Sequence, residues 1–227
     1  MIETIHIKNF RGIRELKLEN LGQINIIAGK NNASKSSILE ALALFLSAKG
    51  GQSPFTKILR GILLWRGLYG EKSIYDLFYK DFEEIKVNVK FLNQDFVSLT
   101  LKTSNQSFVN KNIIVEFKSD KSKPFSFDPH LTRPEYISSI LTSAEATQSN
   151  FEFITSLTLM KFGYIESIYS QAYESQVLQD AIKLLREAYP EVKSLSPLQK
   201  YNKWIIHVET EYGVYPYYVM GEGLKVL

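Results

Sequence analysis

The feature that most constrains this chain is a polar octapeptide, Gly29-Lys30-Asn31-Asn32-Ala33-Ser34-Lys35-Ser36, set between an apolar run and a helix-like repeat. Before it, Ile24-Asn25-Ile26-Ile27-Ala28 is apolar at nearly every position, which predicts a strand covered on both faces. After it, Ile38, Leu39, Leu42 and Leu46, with Ala41, Ala43 and Phe45 between them, keep a helical spacing as far as Gly50-Gly51. Strand, loop and helix in that order suit a phosphate-binding loop. Such a loop turns main-chain N–H groups inward, reaches the outer phosphates with a lysine and meets Mg²⁺ with a hydroxyl, at the spacing G-x-x-x-x-G-K-[ST]. Gly29, Lys35 and Ser36 fill three of the four fixed positions, and Ser34 replaces the second glycine, adding a Cβ where the backbone passes close to phosphate. The plain alternative is a polar turn whose Ser and Asn cap the helix. The flanking elements, and a lysine at a helix N-terminus where the macrodipole favours an anion, favour nucleotide.

Composition narrows the remaining classes. Hydrophobic residues are 44% and charged residues 22% of 227, the balance of an ordinary folded chain rather than a disordered or fibrous one. Lys and Arg number 27 against 24 Asp and Glu, and the net +3 is too small to argue nucleic-acid binding from total charge. The absence of cysteine removes disulfides, thiolate metal sites and cysteine nucleophiles, and fits a reducing cytoplasm. Met1 to Ile7 does not read as a secretory signal, and no apolar run approaches the roughly 20 residues that span a bilayer. The expectation is a soluble cytoplasmic α/β protein without membrane partners.

Along the chain, residues 2–8 and 13–18 read as strands around an Asn9-Phe10-Arg11-Gly12 turn. Residues 54–80 look helical in two short pieces. Residues 84–118 alternate with a period of two in three runs, 85–91, 96–101 and 113–117, which predicts an antiparallel meander. Residues 119–134, with three prolines, read as a surface connection between a lobe at 1–118 and a second at 135–227. In the second lobe helices are expected at 147–170 and 174–189, the latter with an apolar stripe of Val177, Leu178, Ala181, Leu184, Leu185 and Ala188. Paired strands are expected at 204–208 and 214–219.

Ile5-His6-Ile7-Lys8-Asn9-Phe10-Arg11-Gly12-Ile13, then Ile24 to Asn32, then Lys35-Ser36-Ser37-Ile38-Leu39-Glu40-Ala41-Leu42 together resemble the start of the RecF, SMC and OLD-like ATPases. These are ABC-type P-loop proteins, small AAA-type ATPases among them, that act on DNA or in prokaryotic defence. Leu184 to Val192 and Met220-Gly221-Glu222-Gly223-Leu224-Lys225 look similar to the region that precedes and carries their signature motif. The resemblance implies a head domain that closes on ATP and Mg²⁺ by pairing with a second copy. It assigns Gly29, Asn32, Ala33, Ser34, Lys35, Ser36 and Ser37 to the phosphates, with Ser36 on Mg²⁺ and Lys35 as the catalytic cation. It puts Lys8 to Arg11, with Asn9 and Arg11 foremost, near the base or ribose. Gly221, Glu222 and Gly223 would face the γ-phosphate held by the partner copy.

One departure stands out. Hydrolysis needs a carboxylate at the end of an apolar strand to hold the metal, with an adjacent acid to orient the water. Neither Ile113-Ile114-Val115-Glu116 nor Ile205-Ile206-His207-Val208-Glu209 supplies the pair, so the chain reads as a head without its C-terminal third. Turnover is therefore expected of an intact protein, and a nucleotide-binding or protein-interaction module without turnover is the rival reading. His6, His130 and His207 lack metal-site spacing. Tyr212, Tyr215, Tyr217 and Tyr218 read as strand packing ahead of a base-stacking platform. Arg11, Arg14 and Lys17, or Lys118, Lys121 and Lys123, are candidate DNA-phosphate contacts.

Overall fold

The computed structural model describes all residues except 32, 69–70, 93, 95, 104–112, 119–124, 128–150, 152, 155–162, 201–202 and 220–227. The chain divides into two compact units, Met1–Phe153 and Ile154–Leu227.

The first unit is an antiparallel sheet carrying helices. Its strands are β1 (Ile2–Phe10), β2 (Ile13–Leu18), β3 (Glu84–Phe91), β4 (Phe96–Thr103), β5 (Ile113–Lys118) and β6 (Phe125–Phe127), in the spatial order β2-β1-β3-β4-β5-β6. Period-two alternation puts the apolar set on one face, because side chains two apart on a strand point the same way. The register aligns Ile7, Val87, Leu99 and Phe117 in one row and Ile85, Leu101 and Val115 in another. Against these rows pack α1 (Lys35–Ala48) and α2 (Gln52–Trp65), through Ala41, Leu44, Phe45 and Ala48 of α1 and Phe55, Leu59, Ile62 and Leu63 of α2. A 3-10 segment, Glu71–Leu77, follows α2 and buries Ile74 and Leu77. The expected two short helical pieces and antiparallel meander are thus present.

The opposite face of the sheet is polar and laced with ion pairs. Glu15 meets His6 and Lys8, each at 2.9 Å, Lys90 meets Glu3 at 3.0 Å, and Lys102 lies 3.5 Å from both Glu84 and Glu116. Lys17, a candidate DNA contact, is paired with Glu19 at 2.7 Å. Lys118 is exposed at the end of β5, while Lys121 and Lys123 lie outside the described residues.

Residues 24–28 differ from expectation. They join no ladder among the described residues, and Ile24 and Ile26 are 87% and 89% exposed. Asn25 instead closes a local turn, its side chain accepting from the Gly22 N–H and donating to the Gly22 carbonyl, both at 2.9 Å. Ile27, pointing the other way, packs on the core. A doubly covered strand needs packing against both faces, and among the described residues only Ile27 of this run is packed, while Ile24, Asn25, Ile26 and Ala28 face solvent.

In the second unit, α3 (Tyr164–Glu174) and α4 (Leu178–Ala188) accompany a three-stranded antiparallel sheet, β7 (Val192–Lys200), β8 (Lys203–Thr210) and β9 (Gly213–Pro216). Its small core is Leu185, Val192 and Val208, with Leu195, Tyr189 and Tyr217 against it. Three expectations need correction. Of the helix expected at 147–170, residues 164–170 are helical and Phe151, Phe153 and Ile154 are not; most of the remainder lies outside the described residues. The buried stripe of α4 is Leu178, Ile182 and Leu185, whereas Val177, Ala181, Leu184 and Ala188 are exposed, because the helix starts at Leu178 rather than at 174 and is rotated relative to the assumed stripe. Strand β7 carries little strand signal in the sequence, because Ser194, Ser196 and Pro197 hide its alternation, and Pro197 is tolerated because β7 is an edge strand. The expected connection at 119–134 contains β6, which pairs with β5; the rest of it lies outside the described residues. Among the described residues no helix is long and apolar enough to cross a membrane.

Candidate nucleotide-binding site

The loop between residue 28 and α1 carries two unusual backbone conformations. Gly29 has φ 152°, a region that L side chains rarely enter, and Ser34 has φ 57°, ψ 20°, the left-handed region. Between them the Ala33 N–H donates to the Lys30 carbonyl at 3.3 Å, and the first helical bond runs from the Ile38 N–H to the Ser34 carbonyl, also 3.3 Å. The Lys35 ammonium folds back over this loop and donates to the carbonyls of Gly29 and Lys30, both at 2.7 Å. Two of its three N–H donors are satisfied by the loop itself, and it stays exposed.

The N-terminus of α1 is open in a second sense. Ser34 makes no side-chain capping bond, and the first turn has no acidic residue. The leading N–H groups of a 14-residue helix are left without a capping side chain, with the positive end of the macrodipole behind them. Lys35, Ser36 and these amides form the donor set that a triphosphate with its divalent cation requires. They would hold Mg-ATP, which supplies polarised phosphoryl oxygens when bound. Ser36 is half-buried and Ser37 buried at the start of the helix, and Ala33 is exposed on the loop. Asn32 and the signature-like Gly221, Glu222 and Gly223 lie outside the described residues.

Asn9 and Arg11 are built into the β1–β2 turn. Both adopt left-handed backbone, with φ 56° and 50°, on either side of Phe10, which is fully buried. The Asn9 amide donates to the Glu84 carbonyl at 3.1 Å, and the Arg11 Nε lies 2.8 Å from Oε2 of Glu40 on α1. The other carboxylate oxygen of Glu40 accepts from Nε of Arg66, at 2.7 Å, and from its Nη2. Burial pushes the Glu40 carboxyl above its ordinary value although two guanidinium groups pull it down, and burial likewise lowers Arg11 against the attraction of Glu40. The Arg11–Glu40 contact is ionic rather than a directed hydrogen bond, since Arg11 Nε and Glu40 Oε2 lack a hydrogen-bond partner of good geometry.

Residue-by-residue reading of the sequence missed Glu40 and Arg66. The available signal was a carboxylate on a helix face otherwise filled by Ala41, Leu44 and Phe45. Among the described residues no group of three or more His, Asp or Glu could hold a metal ion. His207, expected as a plain strand histidine, is buried with Nδ1 2.8 Å from the Ile205 carbonyl. Of the tyrosines, Tyr217 packs on the second core, whereas Tyr212 is exposed rather than packed.

Comparison with known proteins gives these residues a family. An uncharacterized protein of Methanocaldococcus jannaschii, MJECL10, is 85% identical over 209 residues, covering 92% of this chain and 95% of that one. An ATP/GTP phosphatase of Helicobacter pylori is 31% identical over 123 residues, half of this chain and 32% of its own length. A solved structure from work on ATP-driven dimerization and DNA-stimulated activation of SMC ATPases is 16% identical, aligning over 79% of this chain and 98% of that one with a TM-score of 0.40. The AAA ATPase domain family matches residues 1–209, strand meander, loop and α1 included, and the chain belongs to that family.

Proposed function

We propose that this chain is an ATP-binding ATPase head that takes Mg-ATP on residues 29–37 and uses the bound nucleotide to pair with a second copy. The observation that carries the reading is the Lys35 ammonium, held by two loop carbonyls directly above an uncapped helix N-terminus. A γ-phosphate is a better acceptor than either carbonyl, because it brings full negative charge, so the ammonium exchanges loop oxygens for phosphate oxygens when the nucleotide arrives. Ser36 then offers its hydroxyl to Mg²⁺, and the α1 amides face the phosphates without moving. In the pair, Gly221, Glu222 and Gly223 of one copy lie against the γ-phosphate of the other. DNA or a defence protein is the partner class that the family resemblance suggests.

A second reading is favoured by one observation: the buried carboxylate near the loop, Glu40, is committed to Arg11 and Arg66 and has no freedom to orient a water. On that reading these residues bind nucleotide without turning it over. Calorimetry with Mg-ATP on the wild type and on Lys35→Ala tests binding. Replacing the ammonium is expected to weaken affinity by roughly 10- to 100-fold, as loss of a charged hydrogen-bond donor does. Equal heats from both proteins would refute the site. Phosphate release measured in parallel separates the readings: Lys35-dependent turnover supports the first, and binding with no turnover supports the second.

A further inference from the structure

The β1–β2 turn touches the α1 end of the phosphate loop at two points. Arg11 reaches Glu40, five residues into α1 from Lys35, at 2.8 Å. Gly12 faces Ser34, the residue just before the helix, so closely that a Cβ on Gly12 would sit 2.6 Å from the Ser34 hydroxyl oxygen. Ser34, α1, Glu40, Arg11 and Gly12 thus form a closed ring.

The turn is fixed from behind as well. The Arg11 N–H donates to the Leu77 carbonyl at 2.7 Å, and the Tyr79 N–H donates to the Asn9 carbonyl at 2.9 Å. Phe10 plugs the core between them. Two non-glycine residues in left-handed backbone persist only where their surroundings hold them, and here the surroundings are the wall of the loop. A carboxylate between two guanidinium groups in an interior adds little stability over apolar groups of the same volume. What it supplies is placement: one oxygen accepts from Arg66 and the other holds the Arg11 guanidinium by charge.

We infer that Glu40 is a positioning residue for the phosphate loop: through Arg11 it holds the β1–β2 turn, and through Gly12 that turn sets the left-handed Ser34 from which the Lys35 helix starts. The inference rests on the nucleotide-binding reading above. It gives Arg11 a task in the apo chain, bracing the loop, and ties Gly12 to Ser34, because a Cβ there displaces the Ser34 hydroxyl from its place. Loop amides held in place need no rearrangement when phosphate binds, which strengthens binding.

The test is Mg-ATP calorimetry on the full chain for wild type, Gly12→Ala, Ser34→Gly, the double variant, Glu40→Gln and, as a destabilised control remote from the loop, the sheet-core variant Leu99→Ala, each with a thermal melt. Gly12→Ala is expected to weaken affinity about tenfold, and Ser34→Gly in that background to restore most of it, a coupling that simple loss of stability does not produce. Glu40→Gln, measured below its melting temperature, is expected to weaken affinity by a similar factor, while Leu99→Ala loses melting temperature and keeps its affinity. Wild-type affinity in Gly12→Ala, or a defect that Ser34→Gly fails to relieve, overturns the inference; if Glu40→Gln does not fold, this pair decides it. Wild-type affinity in a folded Glu40→Gln overturns the role of Glu40. If the wild type gives no heat that Lys35→Ala removes, the nucleotide reading has failed and the inference falls with it.

Discussion

Ser34 is the residue at which the loop departs from the usual pattern, and its backbone shows what the substitution entails. With φ 57° it occupies a region that glycine enters freely and that costs a residue with a Cβ about 1–2 kcal/mol. Ser34→Gly is therefore expected to raise unfolding stability by about 1 kcal/mol, less the entropy that glycine adds to the unfolded chain, as read from urea denaturation. An unchanged or lower midpoint would mean that the serine hydroxyl compensates the strain. Asn9 accepts the same backbone region more cheaply, because its short polar side chain tolerates left-handed φ and here finds the Glu84 carbonyl.

Among the elements, α1, α2 and the β1–β2 turn are tied by Glu40. Removing that carboxylate leaves the half-buried Arg11 without its partner while Arg66 can turn to solvent, so Glu40→Ala is expected to cost about 1–3 kcal/mol, seen as a fall in the denaturant midpoint. The pH dependence separates this group from the surface pairs. Burial raises the Glu40 carboxyl, so the native state binds that proton more tightly than the unfolded chain; the contribution is full at acid pH and is lost as pH rises through the raised value. Glu84 is lowered, first by its hydrogen bond from Lys86, and its contribution is present above the ordinary carboxylate range and lost on acidification. Melting temperatures taken between about pH 4 and 7 are expected to fall more steeply toward acid in Glu40→Gln than in wild type, and less steeply in Glu84→Gln. In α4, Leu185→Ala is expected to destabilise its unit by about 2–5 kcal/mol, whereas Leu184→Ala, at a 65% exposed position, is expected to stay within about 0.5 kcal/mol.

On the scale of the whole molecule, the first unit places its core between an antiparallel sheet and two helices, with Phe45 at the centre. Phe45 is fully buried, and its ring lies 5.3 Å from Phe117 and 6.3 Å from Phe91. Phe45→Ala is expected to cost about 3–5 kcal/mol in thermal or urea unfolding of that unit. The polar face of the same sheet carries its charges as exposed pairs, each worth little, so added salt is expected to move stability far less than any of these core changes.

What the sequence determined by itself is local and periodic. Alternation across 85–91, 96–101 and 113–117 specified three strands and their buried face, because side chains on a strand repeat every two residues. Gly29, Lys35 and Ser36 marked a loop before a helix, and α1 begins at Lys35. Where neighbours at long range decide, sequence reading failed. Ile24 to Ala28 reads as a buried strand from its apolarity, yet edge pairing depends on which other strand comes alongside, and residue order does not encode that. Ile182 rather than Leu184 faces inward because the rotation of α4 is set by the sheet it packs on. Glu40 stands on the apolar face of α1, and its partners, Arg11, 29 positions earlier, and Arg66, 26 positions later, meet it only on folding. Only the tertiary structure could bring those three charges together: a carboxylate on the apolar face of α1 shows that a partner is needed, but which distant arginines supply it depends on geometry across elements.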